Sequence, residues 1–254
     1  MRYFAELAYS GTPFHGWQRQ PRQVSVQSTI EEALSVLLRQ EIEIVGCGRT
    51  DAGVHARQYF IHFDSEEVLH EKFVHRINKF LPPDISFRHF QVVEAKAHAR
   101  YDAYYRRYAY YLDLNKNPFQ QHTAFYYHFA DQLDTNKLQQ AAQLLLSYQD
   151  FFPFCKSNSD LKNMTCQLHL NEWEFNTGQY IFHIAANRFL RGMVRLIVGM
   201  CLNVGLGKLE LEEVKFALDE QRLLSKSWSV PPQGLFLEEI RYPFLEKASA
   251  SSTI

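Results

Sequence analysis

The residues best suited to chemistry in this chain lie in one glycine-bearing loop, GCGRTDAGVH, at positions 46–55. Asp51 is the only carboxylate of this loop, and Arg49 precedes it by two residues. The three glycines permit a tight and unusual backbone path. Functional residues are common in loops, but an aspartate in a turn often does no more than hydrogen-bond its own backbone. The loop alone therefore leaves a catalytic and a purely structural role open.

The same loop does not match two common phosphate-binding motifs. In the dinucleotide pattern G-x-G-x-x-G the third glycine would fall at position 51, where this chain has aspartate. The phosphate loop of nucleotide hydrolases requires Gly-Lys-Ser or Gly-Lys-Thr, which does not follow here. What the loop offers is one carboxylate held between two strands.

A second group of candidate residues is RYDAYYRRYAYY at positions 100–111, which contains six tyrosines and three arginines. On a strand, Arg106, Tyr108 and Tyr110 share one face, and Arg107 lies on the other. A guanidinium beside a phenol ring suits the neutralisation of a phosphate next to a stacked base. An amphipathic strand with packed tyrosines and solvated arginines explains the pattern equally well.

A third group lies in the nearly apolar segment NRFLRGMVRLIVGM at positions 187–200. A helix at about 189–203 is predicted here, with five residues within about 100° of arc: Arg188, Arg191, Gly192, Arg195 and Gly199. An arginine deep in an apolar helix needs a carboxylate or phosphate partner, which favours a functional role for Arg195. The alternative is that arginines at a helix edge extend their charged ends into water.

Alternating strands and helices are expected to position these segments. The periodicity predicts first-half strands at 3–9, 42–47, 57–63 and 85–93, and helices after Ser25 and at about 66–80. It predicts second-half strands at 104–114, 165–175, 180–187 and 235–242, and helices after Asp134, at about 189–203 and at 210–219. This order is β-α-β-β-α-β twice, which predicts an α+β, two-layer fold of two ferredoxin-like halves with a joined, antiparallel-rich sheet. The halves are expected at 1–103 and 104–245, followed by a flexible tail at 246–254.

Composition excludes several classes of protein. The chain has 254 residues, 46% of them hydrophobic, and a formal net charge of −1. These values argue against a disordered chain and against a strongly basic nucleic-acid coat protein, although a local basic surface can exist within a neutral total. The four cysteines are scattered, so reduced thiols in the core are expected. The histidines lack metal-ligand spacing, so a metal site is not expected. Signal-peptide and membrane-spanning patterns are lacking, which predicts a cytoplasmic protein.

Seven segments of the chain resemble the tRNA pseudouridine synthase A family. GRTDAGVHA at 48–56 resembles the family's nucleophile motif, YSGTPFHGWQRQ at 9–20 its entry loop, and VQSTIEEAL at 26–34 its first helix. The later matches, in order along the chain, are AHARYDAYYRRYAYYL, DFFPF, ANRFLRGMVRLIVG and GLFLEEIRY. The chain departs from the family pattern at Ser10, Ala97, Asp102 and Gln149.

The resemblance implies the pseudouridine synthase fold and the isomerisation of uridine to pseudouridine in the anticodon stem–loop of tRNA. By the same resemblance, Asp51 is the nucleophile at C1′ and Tyr108 stacks on the target base. Arg195 is expected to pair with the carboxylate, and Arg49 to help displace the flipped nucleotide. Substrate contacts are expected from Arg49, Arg106, Tyr110, Arg188, Arg191 and Leu237. The family implies a homodimer that acts on tRNA, with no cofactor, metal or membrane.

Two other classes of protein remain open. A non-catalytic RNA-binding protein built on duplicated ferredoxin-like units would use aromatic residues of its sheet, but it would not need the GRTDAG loop. An N-glycosidase would be expected to use further acid–base groups beside a single carboxylate.

Overall fold

The computed structural model describes residues 1–155 and 163–245, and the chain divides into two compact units. Unit 1 contains Met1–Tyr105 and the described residues from Phe236 to 245, whereas unit 2 contains Arg106–Leu235. The expected boundary after residue 103 lies close to this division. The last strand differs from the expectation, because its residues from Phe236 onward group with unit 1. The tail expected to be flexible, 246–254, lies outside the described residues.

Unit 1 is a mixed α/β unit whose strand pairs are mostly antiparallel. Its elements are β1 (Arg2–Tyr9), α1 (Val26–Leu38), β2 (Val45–Gly46), β3 (His55–Asp64), α2 (Phe73–Phe80) and β4 (Ile85–Val93). β1 pairs antiparallel with both β3 and β4, and β2 pairs antiparallel with β3. At the start of β3, His55 and Ala56 pair in parallel with Phe236 and Leu237 of β9 (Leu235–Arg241). This parallel pair follows directly on the glycine-bearing loop.

α1 begins where the sequence predicts, after Ser25. The Ser25 hydroxyl accepts the N–H of Ser28 at 3.1 Å, and the Ser28 hydroxyl accepts the N–H of Ser25 at 3.1 Å. This reciprocal pair satisfies backbone donors that the first helical turn would otherwise leave open. Ile30 and Leu34, four residues apart, are fully buried. One apolar face of this helix is therefore buried.

β2 is shorter than the predicted strand at 42–47, because side chains of α1 take up the neighbouring backbone groups. The N–H of Ile42 donates to the Ser35 hydroxyl at 2.9 Å. The N–H of Ile44 donates to a carboxylate oxygen of Glu31 at 3.2 Å. These donors are no longer available to a strand partner.

α2 begins at Phe73, later than the predicted start near residue 66. The hydroxyl of Tyr3 on β1 donates to the carbonyl oxygen of Glu67 at 3.2 Å and accepts the N–H of Leu69 at 3.1 Å. A tertiary contact thus holds this stretch out of the helix.

Unit 2 is also mixed α/β and mostly antiparallel. Its elements are β5 (Tyr105–Asp113), β6 (Phe125–Tyr126), α3 (Thr135–Leu144), β7 (Leu168–Asn176), β8 (Gln179–Ala186), α4 (Met193–Gly205) and α5 (Leu211–Asp219). β8 pairs antiparallel with β5 and β7, and β6 pairs parallel with β5. The Asp134 carboxylate accepts the N–H groups of Asn136 and Lys137 at 2.9 and 3.1 Å, so it caps α3 as predicted.

α4 begins later than predicted, which changes the position of two arginines. Gly192, with a φ of 73°, immediately precedes the first helical residue, Met193. Arg188, partly exposed, and Arg191, exposed, therefore lie before the helix. The prediction that they share a helical stripe with Arg195 is wrong.

Gly199 of α4 has a packing reason. A Cβ at this position would lie 1.9 Å from the carbonyl oxygen of Trp228, so only glycine lets that segment approach the helix. The sequence analysis groups Gly199 with the arginines on one arc of the helix, but does not predict this packing.

The remaining global features are simple. All four cysteines are buried, and none of them forms a disulfide. Across residues 1–155 and 163–245, no helix is long and apolar enough to cross a membrane. Within the same residues, no group of three or more His, Cys, Asp or Glu side chains is arranged to hold a metal ion.

The first testable prediction concerns His62, a buried residue of β3. Burial of the ring, reinforced by the charge of Arg2, lowers the pKa of His62 to about 4 from an ordinary value of 6.5. The unfolded chain therefore binds a proton at higher pH than the folded chain, and the free energy of unfolding must fall as the pH drops from 6.5 to 4. The full loss from this group is about 3 kcal/mol.

His62→Asn should flatten this dependence in urea unfolding measured between pH 4 and pH 7. Asparagine keeps an acceptor for the N–H of Ala99, which donates to His62 Nδ1 at 3.0 Å. His75→Asn, a change at an exposed position on α2, is the control and should leave the slope as in the wild type. Equal slopes for the wild type and His62→Asn would show that His62 does not carry the effect.

Candidate active site

Asp51 lies in the loop between β2 and β3, at the start of a tight backbone turn. Its carbonyl oxygen accepts the N–H of Val54 at 3.2 Å. Gly53 has a φ of 78°, a backbone conformation that favours glycine. The Asp51 side chain is partly exposed. The turn therefore presents an ionisable carboxylate at an accessible position.

The entry loop packs its main chain directly against this turn. Gly16 has a φ of 85°, and a Cβ there would lie 2.7 Å from the carbonyl oxygen of Thr50. The N–H of Trp17 donates to that same oxygen at 3.1 Å. Gly11 allows a second close approach, because a Cβ there would lie 2.1 Å from the carbonyl oxygen of Val54. The two loops thus touch main chain to main chain on both sides of the carboxylate.

Three aromatic side chains anchor the residues that precede the carboxylate. The rings of Trp17 and Tyr59 stack with their centroids 4.0 Å apart, and Tyr9 meets the edge of Tyr59 at 5.4 Å. The Tyr59 hydroxyl donates to the carbonyl oxygen of Gly48. The Tyr9 hydroxyl lies 2.9 Å from the Thr50 hydroxyl oxygen. The sequence analysis did not predict these three aromatic contacts, although Tyr9 and Trp17 lie in the segment that resembles the family's entry loop.

The structure places two further predicted site residues in unit 1. Arg49 is exposed and lines a recess beside the loop, together with Arg100. Leu237 is only 2% exposed and pairs with Ala56, just after the loop ends. Its burial differs from the expected contact with substrate.

In unit 2, β5 and the segment after β8 bring several candidates together. The ring of Tyr108 is partly exposed and meets the ring of Phe189 edge-on, with centroids 5.2 Å apart. A guanidinium nitrogen of Arg106 donates to the carbonyl oxygen of Asn187 at 2.7 Å. This contact places Arg106 beside Arg188 in the chain that follows β8.

Tyr110 is fully buried in unit 2, which also differs from the expected contact with substrate. Its hydroxyl donates to the carbonyl oxygen of Pro231 at 2.8 Å. Burial raises the pKa of this phenol well above its ordinary value, so the hydroxyl stays protonated and can donate. A Cβ on Gly234 would lie 2.9 Å from the Tyr110 ring, so this glycine makes room for the tyrosine.

Arg195 in α4 binds Val230, the residue that precedes Pro231. Its Nε donates to the carbonyl oxygen of Val230 at 2.7 Å, and the N–H of Val230 donates back to the carbonyl oxygen of Arg195 at 3.2 Å. Its side chain is partly exposed despite the apolar surroundings of the helix. The reciprocal bonds fix the direction of the guanidinium within unit 2.

Comparison with known proteins identifies the family. Residues 141–243 match the model of the tRNA pseudouridine synthase family. A protein of Bacteroides thetaiotaomicron named tRNA pseudouridine synthase A is 43% identical over 95% of this chain and 91% of its own. Proteins of the same name from Azobacteroides pseudotrichonymphae and Bacillus subtilis are 41% and 32% identical, each over 95% of this chain and 97% and 99% of theirs. The chain belongs to the tRNA pseudouridine synthase A family.

The match to the tRNA pseudouridine synthase A relatives extends through both units. The family model alone spans residues 141–243, which contain Arg195 and Leu237 but not Asp51. The relatives cover 95% of the chain and so include the Asp51 loop as well. A solved CRISPR endoribonuclease Cse3 bound to RNA is 10% identical with a TM-score of 0.23, too low to support a common fold.

The second testable prediction concerns the contact between the entry loop and Thr50. Gly16→Ala should destabilise the protein by about 2–4 kcal/mol, because it adds both left-handed strain and a clash with the Thr50 carbonyl. If Asp51 is the reacting group, Gly16→Ala should also lower turnover at least about tenfold, because a displaced reacting group loses its alignment.

Gly178→Ala is a matched control for this substitution. Gly178 has a φ of 86°, nearly the same as Gly16, but a Cβ there would have no heavy atom within 4 Å. The control should lower the free energy of unfolding only by the backbone strain, about 1–2 kcal/mol, and leave turnover unchanged. Thermal unfolding and turnover of the two variants test the contact, and equal losses in both would contradict it.

Proposed function

We propose that this protein isomerises uridine to pseudouridine in the anticodon stem–loop of tRNA. The names of relatives that match over 95% of the chain support tRNA as the substrate and this reaction. The observation that carries the proposal is the Asp51 loop, which the entry loop holds by main-chain contacts at Thr50 and Val54. Because the loop is held in place, its carboxylate can be aligned with one atom of the substrate.

In the proposed reaction the uridine keeps its atoms and exchanges one bond for another. The C1′–N1 glycosidic bond breaks and a C1′–C5 bond forms, while C5 loses a proton and N1 gains one. Asp51 acts on C1′ as the nucleophile, which requires the ionised carboxylate. Nothing is oxidised or reduced and no outside atom is added, so the balance needs no cofactor.

Two residues of unit 2 have proposed roles in the chemical step. Tyr108 stacks on the target base, and its phenol oxygen takes the C5 proton while its own proton passes to water. Its ring is fixed by the edge contact with Phe189. Arg195 supplies the positive charge that pairs with the Asp51 carboxylate in the proposed site. Its bond to Val230 holds the guanidinium in one direction, which suits a fixed counter-charge.

The target uridine must leave the RNA stack before it can react, which costs a few kcal/mol. We propose that Arg49 helps to displace the flipped nucleotide and that Arg106, Arg188 and Arg191 bind backbone phosphates. Guanidinium groups suit this role because their planar fork matches phosphate oxygens.

Tyr110 and Leu237 are buried, and we propose that they act on the substrate site through packing. Tyr110 holds Pro231 by its hydrogen bond, and Pro231 follows the residue that Arg195 binds. Leu237 pairs with Ala56 behind the catalytic loop. Both residues would then orient catalytic groups without contacting RNA.

The proposed architecture is two ferredoxin-like halves, at 1–103 and 104–245, except that the last strand groups with the first unit from Phe236. The first half is supported by the order β-α-β-β-α-β in unit 1 and by the pairs β4–β1, β1–β3 and β3–β2. A cytoplasmic homodimer that binds tRNA with both subunits completes the proposal.

The third testable prediction is that Asp51→Asn abolishes isomerisation and preserves tRNA binding. The amide keeps the shape of the carboxylate but is not a nucleophile. Pseudouridine formation with saturating enzyme should fall at least about a thousandfold, as for other covalent catalysts that lose a reacting group. The dissociation constant for tRNA should stay within about threefold.

Asp131→Asn, which removes one exposed carboxylate from unit 2, is the control and should keep wild-type activity. A rate for Asp51→Asn within tenfold of the wild type would contradict the nucleophile assignment. Loss of tRNA binding in this variant would instead make Asp51 a structural residue.

The fourth testable prediction separates the charge of Arg195 from its structural bond. Arg195→Ala should lower the single-turnover rate more than it lowers tRNA affinity. The reason is that the proposed nucleophile would lose its paired positive charge, whereas the other arginines would still bind phosphates.

Arg195→Lys keeps the charge while losing the planar fork, so its single-turnover rate should stay closer to that of the wild type than the rate of Arg195→Ala does. Thermal unfolding of both variants checks that the Val230 segment remains folded. The ion-pair assignment fails if tRNA affinity collapses while the bound-state rate remains unchanged.

A further inference from the structure

A recess of about 240 Å³ lies beside the Asp51 loop, entirely within unit 1. Arg49 and Arg100 line it, and its other walls include Trp17, Gln27 and Gly48. We refer to it as the two-arginine recess. The proposed chemistry uses only Arg49 among these residues, and Arg100 has no role in it.

The charge of the two-arginine recess favours an anion. Of the nine residues described as lining it, two are arginines and none is acidic. The acid next to its wall, Glu31, is already paired with Arg19 at 2.8 Å. Two guanidiniums without a lining carboxylate form a favourable site for a phosphate group.

The volume of the recess suits one group of a larger ligand better than a whole small molecule. Pockets that enclose a whole small molecule usually measure about 300–1,000 Å³. At about 240 Å³ the recess is smaller, which fits a phosphodiester and its sugar better than a complete cofactor. An RNA strand that reaches Asp51 has such groups on both sides of the target nucleotide.

The wall of the recess is rigid. Gln27 Oε1 accepts hydrogen bonds from Gln18 Nε2 at 2.8 Å and from the N–H of Arg19 at 3.0 Å. Gln27 Nε2 donates to Glu31 at 3.0 Å. Trp17 stacks on a ring behind the wall. The shape of the recess is thus formed before any ligand binds, which reduces the entropic cost of binding.

Arg100 is presented by a turn built around the ring of His98. The Nδ1 atom of His98 accepts the N–H of Arg100 at 3.1 Å and the N–H of Tyr101 at 3.2 Å. The carboxylate of Asp102 accepts the N–H of His98 at 2.8 Å and closes the turn. His98 can accept only while its Nδ1 is unprotonated, and burial lowers the pKa of this ring, which favours that form.

Tyr101 adds an aromatic surface next to the recess. Its side chain is 75% exposed, and its ring lies against His98 with centroids 4.3 Å apart. The guanidinium carbon of Arg100 lies 5.8 Å from the centre of the same ring. A fixed ring beside a cation is the arrangement on which single-stranded bases stack.

From this geometry we propose that the two-arginine recess binds an RNA phosphodiester next to the target uridine. Arg49 and Arg100 hold the phosphate, Tyr101 stacks on a flanking base, and His98 is a positioning residue that fixes the turn. This inference rests on the proposed function, which identifies the bound RNA as tRNA. It adds a binding subsite that the isomerisation chemistry does not itself require.

The direct test compares Arg100→Gln with Arg76→Gln, which removes the same charge from an exposed position on α2. The dissociation constant for tRNA is measured from 50 to 300 mM salt. Arg100→Gln should weaken binding at least about fivefold and reduce the slope of log K against log salt by about 0.7–0.9, the value for one phosphate. Arg76→Gln should change neither quantity. Equal effects of the two variants would overturn the proposal.

The positioning role of His98 has its own pair of variants. His98→Ala removes the acceptor and should weaken binding as much as Arg100→Gln does. His98→Asn supplies a side-chain oxygen near the position of Nδ1 and should restore most of the affinity. Wild-type binding by His98→Ala, or failure of His98→Asn to restore binding in a folded protein, would overturn this role.

These measurements can fail independently of the proposed function. Absence of pseudouridine after incubation with the wild type would refute the isomerase and leave the binding comparison valid. Wild-type affinity and salt slope in Arg100→Gln, together with normal pseudouridine formation, would refute the recess and leave the isomerase intact.

Discussion

The position of the Asp51 carboxylate depends on a close contact between two stretches of main chain. Gly16 brings the entry loop to the Thr50 carbonyl, and the N–H of Trp17 bonds to the same oxygen. Main-chain contacts of this kind leave little freedom to the residue between them, because a side chain at Gly16 would force the loops apart. The proposed attack of Asp51 on a single sugar carbon would require this precision, since small displacements of a reacting group cost large factors in rate.

Unit 2 uses a comparable arrangement around one short segment. Gly199 admits the backbone of Trp228, Arg195 exchanges hydrogen bonds with Val230, and Tyr110 donates to Pro231. A helix and a strand therefore fix the same segment from separate positions in the sequence. In both units, glycines and aromatic hydroxyls set the geometry, and the charged side chains are oriented by it.

The sequence predicted the features that local interactions determine. The start of α1 at its serine cap and the capping of α3 by Asp134 depend on residues a few positions apart. The late start of α2 depends on Tyr3, which is distant in the chain, and no local pattern contains it. Alternation correctly places Tyr110 on the face of Arg106 and Tyr108, but it cannot tell which part of that face is covered. The fully buried ring follows from packing over Gly234.

The central claim is that the Asp51 loop serves an isomerase, and nucleoside analysis of tRNA tests it most directly. An unmodified tRNA transcript is incubated with the protein, and its mass, its nucleosides and any released base are measured. The account predicts pseudouridine in the anticodon stem–loop, an unchanged tRNA mass and no free uracil. Released uracil would instead indicate a glycosidase, and bound tRNA with unaltered uridines a non-catalytic binder; either result would contradict the account.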